Sequence, residues 1–568
     1  MRFLPSIALH DTPAEQIRIR FSRPLAFQYW YIIIYQYGNR TCLIPRDQIG
    51  KGTPCAFQIA PNPQRAGTPA SQPHSNEKTL RQTLLPVRKG QKALAFVLVY
   101  WPKPGRKPPH EAHPAGAAPG SSSLGKTVSR GSEIAGRSFQ RKLEQDSSAH
   151  SKEAVGLGRL ARYLERRWDF QGMVDRVHDA RQDPDIPTSS IFLSVFGMHA
   201  VRLGSLNGLD LELKIPKRWD PWVGPIKPSA DTVAYALERC DPEPLRMILA
   251  DAARLAKRKK VFERLYPDAY WVGALDGIET YKSKKGCCAT CCQRNVGTER
   301  EPIIEFYHRE VALQLVGVTP ACILDEEPVL PGETEAAAGV RLLERFHKRM
   351  PRFLDVVTLD GFYLQAPFAQ KVLALNYGLV IVLKQENRDL YQDAEGLFQV
   401  MEPKKVTLGV DGTAQVWDAS GFTSWTQLGR PVRVVRELKD YLKRERVAKK
   451  WVERQVLEDW RWAVIFPDGK QPPTDLIRRW GHARWDEETR GFGELTQQWH
   501  FDHCYHHHPT AMLACRLILY LAFFLTTIFF QRNLKPALRE GKTRLHLAGL
   551  LADDLIRGGW QSFWAQPP

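Results

Sequence analysis

The sequence has no positively charged opening followed by a long apolar stretch. MRFLPSIALHD is too short and too polar for a signal peptide, so export is not expected. Nor does it offer an apolar run of the roughly 20 residues that a helix needs to cross a bilayer. The strongest run, Leu517 to Phe530 (LILYLAFFLTTIFF), falls short of that and reads as a buried core helix with no membrane partner. Cysteines do not spread into a framework, which excludes a disulfide scaffold. Four of the ten stand together in CCATCC (Cys287 to Cys292), a pattern of thiols or metal ligands in a reducing compartment, here the cytoplasm. Acidic residues are also in short supply. Lys+Arg 80 against Asp+Glu 62 gives a net charge of +18, a surplus that favours a polyanionic partner, with nucleic acid first.

What is present is otherwise ordinary globular material, 43% hydrophobic and 25% charged, which excludes a wholly disordered or fibrous chain. A length of 568 residues suggests about three or four domains. Residues 1–101 form an extension without a clear pattern, in which FQYWYIIIYQY and ALAFVLVYW are strand candidates. The stretch 102–155 is crowded with Pro, Gly, Ser and basic residues and reads as a disordered linker. In 156–265, GLGRLARYLERRW, SSIFLSVFGMHAVRL and SADTVAYALERC carry apolar residues at three and four spacing, which predicts a helical domain with Ser229 capping the third helix. KRKK (Lys257 to Lys260) follows and reads as a solvated face, with a DNA contact as the sharper alternative.

From 266 to 388 an α/β order appears. The apolar runs AYWVGALD, YHREVALQLVGV and ACILDEE predict three strands; ETEAAAGVRLLERFHKR predicts a helix. FLDVVTLD is the next strand, PFAQKVLALN a helix, and LVIVLK a last strand. Residues 389–478 hold QVMEPKKVTLGV, TAQVWDA and RPVRVVREL, too long a span for a bare loop, and predict an inserted, mostly β subdomain. Within it KDYLKRERVAKKWVERQ reads as a basic amphipathic helix. A further helix and the apolar core helix fill 479–532, and 533–568 is a tail.

Two of the predicted strands end on an aspartate, Asp276 and Asp360, which places carboxylates at a sheet edge where sites gather in open α/β sheets. In ARWDEETRGFGELTQQWH, helical spacing puts Trp485, Glu488, Phe492, Leu495 and Trp499 on one face. Four of those are large and apolar, so the face is expected to be buried and Glu488 to need a partner or a metal. Asp486 and Glu487 point elsewhere and read as solvated acids. Gly491 and Gly493 work against a regular helix here. Arg484, one turn before Glu488, is a ready ion-pair partner. Three carboxylates meeting at a sheet edge supply the hard oxygen ligands that two-metal phosphoryl transfer needs, with Mg²⁺ (or Mn²⁺) stabilising attacking and leaving oxygens.

These features resemble the insertion-sequence transposases of the DDE type, whose catalytic domain is a ribonuclease-H-like mixed sheet flanked by helices. ALDGIETYKSKKGCCATCCQR, DVVTLDGFYLQAPF and ARWDEETRGFGELTQQW carry the likeness. The resemblance implies a DNA transposase with Asp276, Asp360 and Glu488 as catalytic metal ligands and an inserted β subdomain between the second and third acids. It also implies double-stranded DNA as partner, namely terminal inverted repeats and target, bound by a homodimer in a bacterial cytoplasm. In the family's third motif Arg484 and Glu488 match, while Gly481 stands where a tyrosine is usual and Leu495 where a lysine is usual. The triad would serve a metal-dependent nuclease equally well, and a non-catalytic DNA-binding remnant would keep the same fold. Tentative DNA contacts are Arg484, Lys384 at the end of LVIVLK, and Trp417 and Trp425, which either stack on an unpaired base or belong to the core. Cys288 and Cys291 have metal-knuckle spacing, and His500, His503, Cys504 and His506 in HFDHCYHHH are candidate partners for a zinc site. Unmetallated thiols are the default reading there.

Overall fold

The computed structural model describes residues 31–37, 40–42, 94–98 and 155–557, apart from 287, 385, 387, 409–411 and 448–449. The linker expected over 102–155 lies almost wholly outside them. The chain divides into two units, residues 1–127 and 128–568. In the first, β1 (Tyr31–Tyr37), β2 (Arg40–Cys42) and β3 (Leu94–Leu98) form an antiparallel sheet in the order β2-β1-β3, so both strand candidates are strands.

The second unit begins with helices. In α1 (Leu157–Trp168) the apolar spacing buries Leu157, Leu160, Ala161, Leu164 and Trp168 on one stripe. Then come α2 (Phe170–Val174), α3 (Thr188–Ala200), α4 (Leu206–Leu213), α5 (Asp220–Val223), α6 (Ala230–Glu238) and α7 (Pro242–Arg258). The Ser229 Oγ accepts the Thr232 N–H at 3.2 Å and caps α6 as expected. Lys257 does not sit on a solvated face: its Nζ donates to the Phe353 carbonyl at 2.8 Å and lies over the Trp271 ring.

β4 (Glu263–Arg264) and the short β8 (Val318–Thr319) form a two-stranded sheet of their own, and a mixed sheet begins with β5 (Val272–Ser283), β6 (Cys292–Asn295), β7 (Ile304–Val316) and β9 (Cys322–Pro328). After α8 (Glu335–Arg349) come β10 (Val356–Leu359), α9 (Ala366–Ala374) and β11 (Gly378–Val382). Strands β5, β10 and β11 run parallel, and β7 and β9 are antiparallel to their neighbours, giving the order β9-β7-β5-β10-β11. The expected strand and helix order is the one observed.

The stretch 389–478 contains one helix that the sequence does not announce, α10 (Asp389–Val400), and then β12 (Lys404–Leu408), β13 (Gly412–Phe422), β14 (Val432–Val447) and β15 (Lys450–Ile465). These four strands are not a separate sheet. β15 pairs antiparallel with β11, so they extend the main sheet in the order β12-β13-β14-β15-β11. The basic segment expected to be a helix is the far part of the β14–β15 hairpin, with Arg444 opposite Glu453 and Lys443 opposite Arg454. Val452, Val456, Trp460 and Val464 share one face of β15 at even spacing, and the opposite-charge pairs Arg444–Glu453 and Lys439–Glu458 favour the register against the like-charge pair Lys443–Arg454.

Next are α11 (Thr474–Ala483), α12 (Gly493–Trp499) and the long α13 (Pro509–Ile528), continued by a wide π turn over Phe529–Asn533, with α14 (Pro536–Arg539) and α15 (Arg544–Arg557) closing the described chain. The helix that includes Leu517 to Phe530 is longer than its apolar run and is long and apolar enough to cross a membrane, yet it is wholly buried among the other helices. It packs on α3, α6, α7 and β9, so the helices of 156–265 and the sheet share one core. Arg516 is its charged exception: Nε donates to Glu326 Oε1 at 2.7 Å and Nη2 to Glu310 Oε1 at 2.8 Å, joining α13 to β9 and β7. Arg516→Met leaves two buried carboxylates without their cation, and chemical denaturation should show a loss of about 3–5 kcal/mol. A loss under about 1 kcal/mol would mean that those acids are neutral in the folded protein.

Candidate active site

The strand register decides where the two aspartates stand. Leu359 of β10 pairs with Leu275 of β5, so Asp360, the first residue beyond β10, lies beside Asp276. Asp276 does not end its strand as expected. β5 continues to Ser283 because β7 keeps pairing with it, and at Asp276 the strand passes from fully buried to half-buried residues.

The third acid comes from the other side. α11 ends at Ala483, and its C-cap Arg484 turns a buried guanidinium toward the strand ends. Its Nη1 donates to Asp276 Oδ2 at 2.9 Å and to Glu488 Oε1 at 3.0 Å, and its Nη2 stands 4.0 Å from Asp360 Oδ1. Asp276, Asp360 and Glu488, from three different elements, therefore surround one cation. Two of their oxygens share a single nitrogen, so they are separated by no more than the sum of two hydrogen bonds. Oxygen donors converging on one positive charge are what a divalent cation requires. A cleft of about 500 Å³ opens nearby, bounded by Glu335 and Phe362 at one end and by Cys291 and Cys292 at the other.

Between Arg484 and α12 the helix is not regular: Glu487–Phe492 form a π turn. The extra residue shifts the apolar face, so the prediction for that face holds only in part. Phe492, Leu495 and Trp499 are buried, but Trp485 is 41% exposed and the Glu488 side chain 38% exposed. Glu487, expected in solvent, is instead fully buried, and among the described residues neither of its carboxylate oxygens has a hydrogen-bond partner. Asp486 is half-buried and accepts the Gly317 N–H at 3.4 Å. Gly491 explains the turn. A Cβ there would lie 1.7 Å from Gln314 Oε1 on β7, and Gln314 Nε2 donates to the Asp486 carbonyl at 3.1 Å. The glycines that weaken a regular helix let this segment sit against the sheet.

The electrostatics follow from burial. Burial pushes the Asp276 carboxyl up to about 6, against the pull of Arg484 and of the Gly277 N–H, and Glu335 and Glu488 push with it. For Asp360 burial also pushes up, but it is outweighed by Lys384, whose Nζ stands 2.7 Å from Oδ1, and by Arg484, so the carboxyl ends below its usual range. Glu487 is driven well above the ordinary carboxylate range by burial, with the Asp276 charge adding to it, so it is held as the neutral acid. Sequence reasoning missed Glu335 as well. It opens α8, accepts the Tyr363 hydroxyl at 2.8 Å, and would meet a Cβ added at Gly277. Its signal, an acid at a helix N-terminus after Thr334, is too common to single out.

The remaining candidates divide. Lys384 is half-exposed beside Asp360, where a phosphate contact is feasible. Trp417 and Trp425 are buried; Trp417 Nε1 donates to the Met401 carbonyl at 2.9 Å and the ring lies near Phe398, so these rings are core and offer no open face to a base. Cys288 and Cys291 do come together, but with His308 and His507. Of the expected partners, His506 binds Glu238 at 2.7 Å, His503 packs on Tyr505, and neither they nor His500 and Cys504 join the cluster.

No known protein-family model matches the chain, and no curated protein matches its sequence. The family likeness therefore rests on the motifs and on this geometry. Gly491→Ala should destabilise the protein by about 1–3 kcal/mol, as overpacking does. Adding Gln314→Ala should recover part of that loss in the same denaturation measurement, and strict additivity would show that the close approach is not what the glycine serves.

Proposed function

We propose that the chain is a DNA transposase of the DDE type, cutting strands at element ends and joining the freed 3′-hydroxyl to target DNA with Mg²⁺ or Mn²⁺. The observation that carries this reading is the convergence of Asp276, Asp360 and Glu488 on the Arg484 guanidinium. The sheet order supports it. Strands β9-β7-β5 run antiparallel, and β10 and β11 follow parallel to β5, as in a ribonuclease-H-like domain, with the β12–β15 segment inserted between second and third acids. The net charge of +18 suits a DNA partner, terminal inverted repeats and target, held by a homodimer in the cytoplasm.

In this mechanism Asp276, Asp360 and Glu488 would hold the metal ions, which would supply positive charge to the attacking and leaving oxygens. Arg484 occupies the space between these acids, so a metal bound there would compete with its guanidinium for Asp276 and Glu488. Lys384, exposed beside Asp360, is placed to contact phosphate. No protein nucleophile is needed: water would break a phosphodiester P–O bond to leave a 3′-hydroxyl and a 5′-phosphate, and that 3′-hydroxyl would then attack a target phosphodiester and expel a target 3′-hydroxyl.

The direct test uses linear DNA carrying the sequences that flank the protein's own gene, with Mg²⁺. Asp276→Ala, Asp360→Ala and Glu488→Gln should each reduce cleavage and joining by more than the roughly 10–100-fold that losing an outer-shell metal partner costs. Unchanged activity in these variants would end the assignment, and nicking without joining would make the protein a nuclease. Arg484→Ala probes the same site from the other side. Without metal it should destabilise by about 2–3 kcal/mol, below the figure for a fully buried pair because Glu488 is partly exposed. In thermal unfolding, Mg²⁺ should then raise its melting temperature more than that of the unaltered protein; an equal rise would mean that the guanidinium does not compete with metal.

A further inference from the structure

We propose that Cys288, Cys291, His308 and His507 bind one Zn²⁺ as a closed structural site, separate from the carboxylate centre and independent of whether that centre is a transposase's. Their four ligand atoms lie within 4.8 Å of one another. Two nitrogens, His308 Nε2 and His507 Nε2, are 3.3 Å apart. His308 Nε2 lies 3.3 Å from each of Cys288 Sγ and Cys291 Sγ, Cys291 Sγ lies 3.4 Å from His507 Nε2, and the two sulfurs are 3.8 Å apart.

These five separations match edges of a tetrahedron around zinc, whose sixth edge, between Cys288 and His507, is no longer than 4.8 Å. With Zn–S near 2.3 Å and Zn–N near 2.0–2.1 Å, the edges should run from about 3.3 Å between nitrogens to about 3.8 Å between sulfurs. The observed edges fall in that range and in that order. A disulfide would need the sulfurs at about 2.0 Å. Two sulfurs with two imidazole nitrogens in tetrahedral array also select zinc over the oxygen-loving Mg²⁺ of the proposed catalytic centre.

The local backbone suits a metal knuckle. The Cys291 N–H donates to the Cys288 carbonyl at 3.2 Å, closing the turn, and the Cys288 N–H donates to Cys291 Sγ at 3.3 Å. Neighbours outside the cluster are directed elsewhere: Cys292 Sγ contacts the Val329 carbonyl, and His506 binds Glu238. Tyr281 of β5 lies against the His507 ring, 4.2 Å between centroids. The ligands come from the β5–β6 turn, from β7 and from the loop between α12 and α13, so the ion would fasten that loop to the sheet. Sequence spacing could not reveal it, because His308 sits inside a strand and His507 is one of three adjacent histidines.

The test is metal analysis of the full chain, purified without a histidine tag or chelator. About one zinc per chain is expected, retained by Asp276→Ala, Cys504→Ser and His506→Gln and lost from Cys288→Ser and His507→Ala. Replacing zinc with Co²⁺ should give the intense visible bands and thiolate charge-transfer absorption of a tetrahedral sulfur–nitrogen site. His507→Cys should keep the stoichiometry and strengthen the charge transfer, which holds the test open if an alanine variant fails to fold. A folded protein with no zinc and only the weak absorption of oxygen-ligated cobalt would overturn the site. So would full zinc retention in folded Cys288→Ser and His507→Ala.

Discussion

Strand β9 places Asp325, Glu326 and Glu327 in succession inside the protein, and buried carboxylates in a row are intolerable without cations. Period 2 sends Asp325 and Glu327 to one face and Glu326 to the other. On the first, Arg345 Nε of α8 donates to Asp325 Oδ2 at 3.0 Å and Arg341 Nε to Glu327 Oε1 at 2.6 Å, and Arg246 of α7 pairs with Asp325. On the second, Arg516 and Tyr520 of α13 hold Glu326. Arg246 and Arg345 also donate to the Glu326 carbonyl, satisfying backbone that an edge strand would leave open. Three helices are thereby referred to a single strand, each by charges that tolerate no slip of one residue.

The carboxylate centre inherits its geometry from that network. Arg516 reaches Glu310 on β7, and Glu310 in turn accepts the Thr280 hydroxyl at 2.6 Å, four residues along β5 from Asp276. On the helical side, Trp499 of α12 meets Phe523 of α13 edge-on at 5.3 Å, and Phe501 lies near Tyr520. The strand that carries Asp276 and the segment that carries Glu488 are both positioned by α13. A helix buried on all sides cannot rotate to relieve strain, so acids on separate elements can be held at one point.

Legibility in the sequence tracked how local each signal was. Strands β5, β7, β9, β10 and β11 were readable because buried strands are continuous apolar runs between breakers. Asp360 was placed correctly since its strand does end there, whereas the end of β5 was misjudged because pairing with β7, a long-range matter, extends it. The β14–β15 hairpin defeated periodicity, since its charges alternate so densely that a helical face could be drawn through Lys439 to Gln455. The π turn was invisible in another way. It follows from Gly491 meeting Gln314, 177 positions apart in sequence, and it exchanges the roles of Glu487 and Glu488 relative to a plain helix.

That exchange bears on how three acids coexist. Asp276, Glu487 and Glu488 crowd one small volume, and Arg484 supplies a single positive charge. Burial drives Glu487 well above the ordinary carboxylate range, with no hydrogen-bond partner for its oxygens among the described residues, and raises Asp276 to about 6. Glu488 is the more exposed of these acids and is bound to the guanidinium. Divalent ions entering at Asp276, Asp360 and Glu488 would reverse this ordering, since their charge favours every carboxylate they touch. On the proposed reading, a metal would take over from the arginine the acids that it satisfies here, with the buried Glu487 beside them carrying no charge of its own.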